Sequence, residues 1–436
     1  MVKGKIISAL DIGSSKIATL IAQIKEDEKV NIIGASSTPS HGIKRGQVTN
    51  IEEATRAIID SVEAAERMAG YSLGHTFVSV GGAHIISQNS RGVVAVTNPG
   101  GEVVATDVNR VLEAAQAISL PASREILHVL PRAYTVDSQE GVVDPIGMTG
   151  VRLEAETHII TASSPSLQNL QKCIQEVGTS IEDFVFDALA GASIATTPTE
   201  KELGITLIDI GGGTTSVIIF SEGSPIYSLV IPIGAQNITN DLAIGLRLSI
   251  EDAEKLKLAL NPVNSLESAN AKIGHIPPKQ KKQQKVNKDE INLEALGIKS
   301  EKKKITKKMI VEEIIKPRLE EIFSMIYDEI RRNELLDHTP AGVVLTGGGA
   351  QTISAVSTCR HSMALPVRIG VPNNLTGLTD EILTPEFAVA VGLLKYGQQK
   401  TTQKKSFAFK KRANLPNLEI KGMVEKTIKF VKSFLP

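Results

Sequence analysis

The sequence predicts an α/β protein built of two related lobes that face one cleft. Three features carry that expectation. LDIGSSKIATLIAQI (10–24) and LIDIGGGTTSVIIF (207–220) share one plan, an apolar strand, an Asp-Ile-Gly turn and a second apolar strand, which is what duplicated halves produce. A third glycine turn, VVLTGGGA (343–350), closes another apolar strand. FVFDALAGASIA (184–195) and PEFAVAVGLLKY (385–396) are small-residue helices of the kind that pack closely where two lobes are joined, although an ordinary buried helix has the same composition.

The second hairpin is chemically the most explicit. Ile205, Leu207, Ile208 and Ile210 make a strand with Asp209 at its tip, followed by Gly211, Gly212, Gly213, Thr214 and Thr215. Consecutive glycines let backbone N–H groups converge on an anion, and hydroxyls add donors. An acid at that place suits Mg²⁺, which keeps most of its waters and takes few protein ligands. A lone turn of this kind is equally an ordinary β-hairpin. Its counterpart at Asp11, Gly13, Ser14 and Ser15 shifts the balance, because a phosphate chain is then gripped from both sides. Lys16 follows directly; it offers a cation, but a solvated hairpin lysine is the favoured expectation.

In chain order, Ile6–Asp11, Ile17–Ile24 and Asn31–Ser37 are expected strands, and Ile51–Met68 a helix with apolar residues at Ile51, Ala54, Ile58, Val62 and Ala65. Phe77–Val80 is a strand. Ile85–Ile86 and Gly92–Val96 follow as two short strands, then a helix Asp107–Ile118 N-capped by Thr106. Strands His128–Val136 and Val151–Ala162 complete a small inserted α/β module, whose His84, His128 and His158 are assigned no chemistry. Leu167–Val177 and Phe184–Ala195 are expected helices. Beyond the second hairpin come a strand Ser228–Ile233, a helix from Asn237 to about Gly245, and a helix Ile250–Leu260 with Glu254 and Lys257 on one face. That pair either brackets a sugar or base edge or forms a solvent ion pair, and alone the ion pair is favoured.

Residues 279–308 hold eleven lysines against four acids, with Ile291, Leu293, Leu296 and Ile298 as the main apolar groups. This predicts a solvated, partly disordered excursion containing a weak hairpin. Without arginine or aromatic interleaving, nucleic-acid binding is disfavoured. Met309–Arg332 is a long amphipathic helix that tolerates Pro317.

Composition sets the outer bounds. At 436 residues there is chain for more than one core. Net charge is zero and aromatics are 3% without Trp, which argues against a stacking platform for single-stranded nucleic acid. Cys173 and Cys359 have no metal or disulfide spacing. No signal-peptide pattern and no apolar run near the roughly 20 residues that span a bilayer appear, so a cytoplasmic protein is expected.

The tail is distinct. Thr401–Lys421 is polar, Lys-rich and Pro-interrupted, and is expected to be a flexible linker. In GMVEKTIKFVKSFL, helical spacing puts Met423, Val424, Ile428, Phe430, Val431, Phe434 and Leu435 on one side and Lys426, Lys429 and Lys432 on the other. At about 21 Å such a helix is too short to span a bilayer and suits lying in an anionic interface. The alternative is a terminal helix docked on the protein body.

The three glycine turns and two small-residue helices, in this order, resemble the phosphate loops, adenosine loop and connecting helices of the actin-like ATPase superfamily. NIIGASSTPSHGIKRGQV (31–48), GVRLEAETHIIT (150–161), VRIGVPNNLTGLTD (367–380) and the terminal helix narrow the resemblance to the FtsA family of bacterial cell-division proteins. The resemblance implies an α/β, actin-like two-lobed fold. It divides the chain into a first-lobe core (1–83 and 163–197) around an inserted subdomain (84–162). A second-lobe core (198–235 and 309–383) surrounds an outer subdomain (236–308), followed by a returning helix (384–400), a linker (401–421) and a membrane helix (422–436). It also implies ATP with Mg²⁺. Asp11, Gly13, Ser14, Ser15, Lys16, Asp209, Gly211, Gly212, Gly213, Thr214 and Thr215 would serve phosphate, with Asp11 and Asp209 on the hydrated metal. Gly234, Glu254, Lys257, Gly347, Gly348 and Gly349 would serve adenosine. Implied partners are the FtsZ C-terminal peptide, further copies in a filament, anionic lipids at the division site and later divisome proteins. ATP is expected to act on assembly, with at most weak hydrolysis. A pilus-assembly scaffold of the PilM type, or a phosphotransferase, is the alternative on the same fold.

Overall fold

The structure is a computed structural model that describes residues 5–413 apart from 26–28, 99, 262–288, 299–304, 374 and 379–381, with side chains to residue 400. Two sheets repeat one topology. In the first, β1 (Lys5–Ile12), β2 (Lys16–Ile24) and β3 (Val30–Pro39) form an antiparallel meander. β6 (His75–Val80) and β11 (Ser180–Phe186) add in parallel beyond β1. In the second, β12 (Ile205–Ile210), β13 (Thr215–Ser221) and β14 (Ser224–Ile231) make the meander. β15 (Val343–Thr346) and β16 (Val367–Ile369) add in parallel beyond β12. The orders β3-β2-β1-β6-β11 and β14-β13-β12-β15-β16 are therefore the same, and β17 (Thr376–Gly377) pairs with β3 at the far edge of the first sheet. All six residues of β12 are buried, as expected of a central strand covered on both faces.

Helix α1 (Ile51–Ala69) begins where the Asn50 side chain accepts from the Glu53 N–H and stops at Gly70. Gly70 takes the left-handed conformation (φ 69°) that lets it close the last turn. Its buried face holds Ala54, Ile58, Val62 and Ala65 of the predicted apolar stripe, while Ile51 at the helix start is exposed.

The inserted module is a four-stranded sheet in the order β7 (Ile86–Ala95), β10 (Arg152–Ser163), β8 (Arg124–Val136), β9 (Gln139–Val142). Helix α2 (Ala105–Gln116) helps enclose a small core that includes Val103, Val111, Tyr134 and Leu153. Two expectations are corrected here. Ile85–Ile86 and Gly92–Val96 are not separate strands: β7 is continuous, because its polar middle finds partners across the molecule, with Ser87 and Asn89 bonding to β14. Thr106 does not cap α2, which starts at Ala105. The cap is made from inside, by the buried Asp107 carboxylate accepting from the Val104 N–H and the Thr97 hydroxyl.

After helix α3 (Ser164–Glu176), residues Phe184–Phe186 finish β11 rather than beginning a helix, and α4 runs Asp187–Ala195. The short helix α5 (Pro198–Leu203) leads into β12. The strand expected at Ser228–Ile233 starts earlier, at Ser224. Helices α6 (Ala235–Leu246) and α7 (Ile250–Ala259) follow. Of the lysine-rich excursion, the described ends form an antiparallel bridge between Glu290 and Thr306. Leu293, Ile298 and Ile305 are buried in the core that packs on the second sheet. The long helix is interrupted by a wide π turn at Val311–Ile315, between Lys307–Ile310 and Lys316–Arg332. Pro317 lies just beyond it; a proline lacks the N–H and crowds the carbonyl one turn back, and a widened turn relieves both.

The last described helix is Ala388–Ala413, so the linker expected from Thr401 is helical as far as Ala413. The stretch 401–413 contains neither proline nor glycine, and the first breaker after it is Pro416. The amphipathic stretch 422–436, with Met423 to Leu435, lies outside the described residues. Among the described residues no helix is long and apolar enough to cross a membrane.

Candidate functional site

The two Asp-Ile-Gly hairpins are built alike and meet tip to tip. The first turn is closed by the Gly13 N–H on the Lys16 carbonyl (3.0 Å), the second by the Gly211 N–H on the Thr214 carbonyl (2.9 Å). A Cβ added to Gly212 would lie 2.5 Å from the Ser15 Cβ, and one on Gly213 would lie 2.8 Å from the Ser14 hydroxyl. Bare backbone is what allows the tips to approach. Ser14 is held by the Gly46 N–H, which donates to its Oγ at 2.9 Å.

Three carboxylates gather behind the tips. Asp11 accepts from the Ser79 hydroxyl at 2.7 Å, and that oxygen in turn accepts from the Ile12 N–H at 2.9 Å. Asp187, the first residue of α4, accepts from the Ala188 N–H (2.7 Å) and the Ser216 hydroxyl (2.8 Å). Asp209 is buried at the end of β12. Burial raises the pKa of all three, Asp187 to about 7; the charges of Asp187 and Asp11 raise Asp209 further. The Lys16 ammonium opposes the shift at Asp11 and Asp209. Three acids that resist ionising together will gain from any cation that enters. The sequence brought out Asp11 and Asp209. Asp187 does not emerge from the sequence, because the helix expected from Phe184 places it inside a small-residue helix and hides its position at the end of β11.

Lys16 is not a solvated hairpin lysine. Its Nζ lies 3.2 Å from Glu386 and 3.9 Å from the centroid of the Phe387 ring, so the turn Pro385–Phe387 reaches the first residue of β2. The same turn anchors the third glycine loop: the Pro385 carbonyl accepts from the Gly347 N–H (3.0 Å) and the Thr346 hydroxyl (3.1 Å). Gly347 (φ 82°) passes directly beneath Asp209, where a side chain would overlap the carboxylate, and Gly349 packs on Ile210. Gly348 faces Glu386 at an ordinary van der Waals distance.

Gly234 lies against the back of the second hairpin, where a Cβ would sit 2.5 Å from the Gly212 carbonyl. The first N–H groups of α6, from Ala235 and Gln236, donate to the Gly211 and Gly212 carbonyls at 2.9 and 2.8 Å. Glu254 and Lys257 do form the favoured ion pair (2.7 Å), with the Glu254 end partly in solvent and the Lys257 end buried. Lys257 is buried and also bonds the Thr239 hydroxyl (2.8 Å) and the Ala235 carbonyl (3.3 Å), so the pair is tied through α6 to the second hairpin. Thr215 needs correction: its hydroxyl donates to the Ile233 carbonyl at 2.8 Å, just beyond the end of β14, and is not a cleft donor. Thr214 supplies the turn carbonyl. Two of the inserted module's histidines have structural partners: His128 Nε2 accepts from the Phe186 N–H at 2.9 Å, and His158 sits between Asn89 and Ser228.

Among the described residues no three Asp, Glu, His or Cys side chains come together as a direct metal shell. Clustered carboxylates short of cations, behind glycine-lined turns, are chemically suited to a phosphate chain carrying a cation held through its waters.

Comparison with known proteins agrees with this architecture. Residues 82–161 match the family model described as the SHS2 domain inserted in FTSA, and residues 206–392 match the model for cell division protein FtsA. Cell division protein FtsA of Pseudomonas aeruginosa is 39% identical over 91% of this chain and 90% of its own length. That of Borreliella burgdorferi is 37% identical over 96% and 97%. Among solved structures, the PilM-PilN type IV pilus biogenesis complex superposes with a TM-score of 0.62 at 14% identity, covering 90% of this chain and 98% of that one. MreB 5 of Spiroplasma citri bound to AMPPNP gives 0.51 at 12%, covering 93% and 99%; likenesses this distant speak for the fold alone. The fold is thus actin-like with an inserted SHS2 domain, and the chain belongs to the FtsA family of cell-division proteins.

Proposed function

We propose that this chain binds ATP with Mg²⁺ between its two hairpins and uses the nucleotide to assemble with further copies of itself. The filament would lie on the inner face of the cytoplasmic membrane and tether FtsZ there for later division proteins to join. The observation that carries the nucleotide part is the opposition of Ser14–Ser15 to Gly212–Gly213 in front of Asp11, Asp187 and Asp209. In this reading Gly13, Ser14, Ser15, Lys16 and Gly211–Thr214 take the phosphates, and Asp11 and Asp209 hold the hydrated metal. Gly234, Glu254, Lys257 and Gly347–Gly349 line the adenosine. Bound Mg²⁺ supplies the positive charge that lets the clustered carboxylates ionise together. Asp187, with a pKa of about 7, is suited to orienting a water and exchanging a proton with it. Slow turnover would then serve filament disassembly more than catalysis.

The membrane part rests on sequence pattern: the apolar row Met423 to Leu435 and the lysines 426, 429 and 432. Co-sedimentation of the full chain with vesicles of anionic and of neutral lipid, with and without an FtsZ C-terminal peptide, tests it. Binding to anionic vesicles that is lost on truncation after Gln398, together with peptide capture, is the expected result. Equal pelleting of the truncated chain would end the tether model.

A further inference from the structure

Lys16 stands between two sets of negative charge. On one side are Asp11 and Asp209, both of which feel its charge. On the other is Glu386, 3.2 Å away, with Phe387 beneath the ammonium. The Lys16 Nζ is shut off from solvent yet makes no well-directed hydrogen bond, so its contact with Glu386 is one of proximity. The Glu386 side chain keeps 38% exposure, and an ion pair with one end in water is a weak hold. A buried ammonium at the hairpin tip, short of directed acceptors, is a donor waiting for a stronger anion. Phosphate oxygens are such acceptors, and charge-assisted bonds to them are shorter and stronger than neutral ones.

Glu386 also belongs to the junction of the site. Its turn, Pro385–Phe387, holds the third glycine loop through Gly347 and Thr346 and leads straight into helix Ala388–Ala413. Whatever moves Lys16 off Glu386 therefore acts on the turn that joins the first hairpin, the third glycine loop and the returning helix.

We propose that Glu386 is a positioning residue that competes with the terminal phosphate of a bound nucleotide for Lys16. The inference rests on the nucleotide-cleft reading above. A triphosphate, reaching farther along the hairpin than a diphosphate, draws the ammonium away from Glu386 and frees the turn. With a diphosphate the pair persists. Glu386 thereby lowers triphosphate affinity and makes the start of the returning helix responsive to nucleotide state.

The test uses the full-length protein with N-methylanthraniloyl-ATP and N-methylanthraniloyl-ADP at fixed Mg²⁺, read by fluorescence anisotropy. Glu386→Gln is expected to tighten the triphosphate about two- to fivefold, in the range of a partly exposed ion pair, with a smaller change for the diphosphate. Glu386→Asp should restore wild-type behaviour. In a Lys16→Ala background Glu386→Gln should have no effect, since the competition requires the ammonium. Unchanged or weaker triphosphate binding in Glu386→Gln, or the same gain without Lys16, would overturn the competition. Wild-type protein that binds neither probe would instead overturn the nucleotide cleft itself, and this inference with it.

Discussion

Gly392 on the returning helix lies against the Ala190 carbonyl of α4, so closely that a Cβ at 392 would overlap the oxygen. The Ser193 hydroxyl reaches the Gly392 carbonyl at 3.3 Å across the same crossing. The two small-residue helices therefore touch backbone to backbone, and a glycine is what permits it.

Gly392→Val should destabilise the protein by about 3 kcal/mol, at the upper end for overpacking, because the obstruction is backbone and cannot rotate aside. Gly191→Ala is the control. Its Cβ would meet Thr346, Leu207 and Val389 no closer than 3.8 Å, so the substitution should be neutral or slightly stabilising in a helix. Chemical unfolding of both variants checks the pair; similar losses at 392 and 191 would contradict the crossing geometry.

Asp187 carries a pH signature. Its folded pKa, raised by burial to about 7, exceeds the unfolded value of 3.8, so between those values the folded state holds more protons than the unfolded one. Stability of the nucleotide-free protein should then fall as pH rises from 4 toward 7, and Asp187→Asn should flatten that fall. Thermal unfolding across pH 5–8 measures it. A variant that loses stability at pH 8 relative to wild type would mean that the cluster tolerates its charge.

A seam joins the inserted sheet to β14 of the second sheet with the opposite sign. Ser87 donates to the Ser228 carbonyl (2.7 Å) and Asn89 to the Ile226 carbonyl (3.2 Å), while His158 contacts both Asn89 (2.7 Å) and the Ser228 hydroxyl (3.0 Å). Burial, helped by Arg132, lowers the His158 pKa to about 4 from 6.5. The neutral ring's contribution is complete above pH 6.5 and is lost as pH falls through 4. His158→Gln should lower the melting temperature at pH 7.5 and narrow its difference from wild type at pH 4.5. An unchanged gap at the two pH values would count against it.

Asp209→Ala should abolish binding of a fluorescent ATP analogue. Gly347→Ala should weaken it strongly, because the new methyl group collides with Asp209 in a conformation (φ 82°) that alanine resists. Full nucleotide affinity in either variant would detach these loops from the phosphate site.

Much of the site was legible because its chemistry is local. An acid followed by glycines and hydroxyls is a contiguous signal, and both copies were found at the right strand ends. Thr215 misled because side chains alternate in a strand, and the face it shows is set by β14 pairing. Lys16 misled because its partners, Glu386 and Phe387, are supplied from the far end of the chain. Helix Ala388–Ala413 outran its expected end because Lys-rich composition suggested a linker where no residue breaks a helix.

By itself the sequence determined the duplicated α/β plan, the three glycine turns and the small-residue helices, since each follows from a period or a turn residue that acts within a few positions. Only the tertiary structure decided that Asp187 joins Asp11 and Asp209, that Lys16 lies beside Glu386, and that the inserted sheet leans on β14 through Ser87, Asn89 and His158. Those contacts join residues distant in the chain. Burial and mutual charge act through space, and no local pattern records which distant groups the folded chain will bring together.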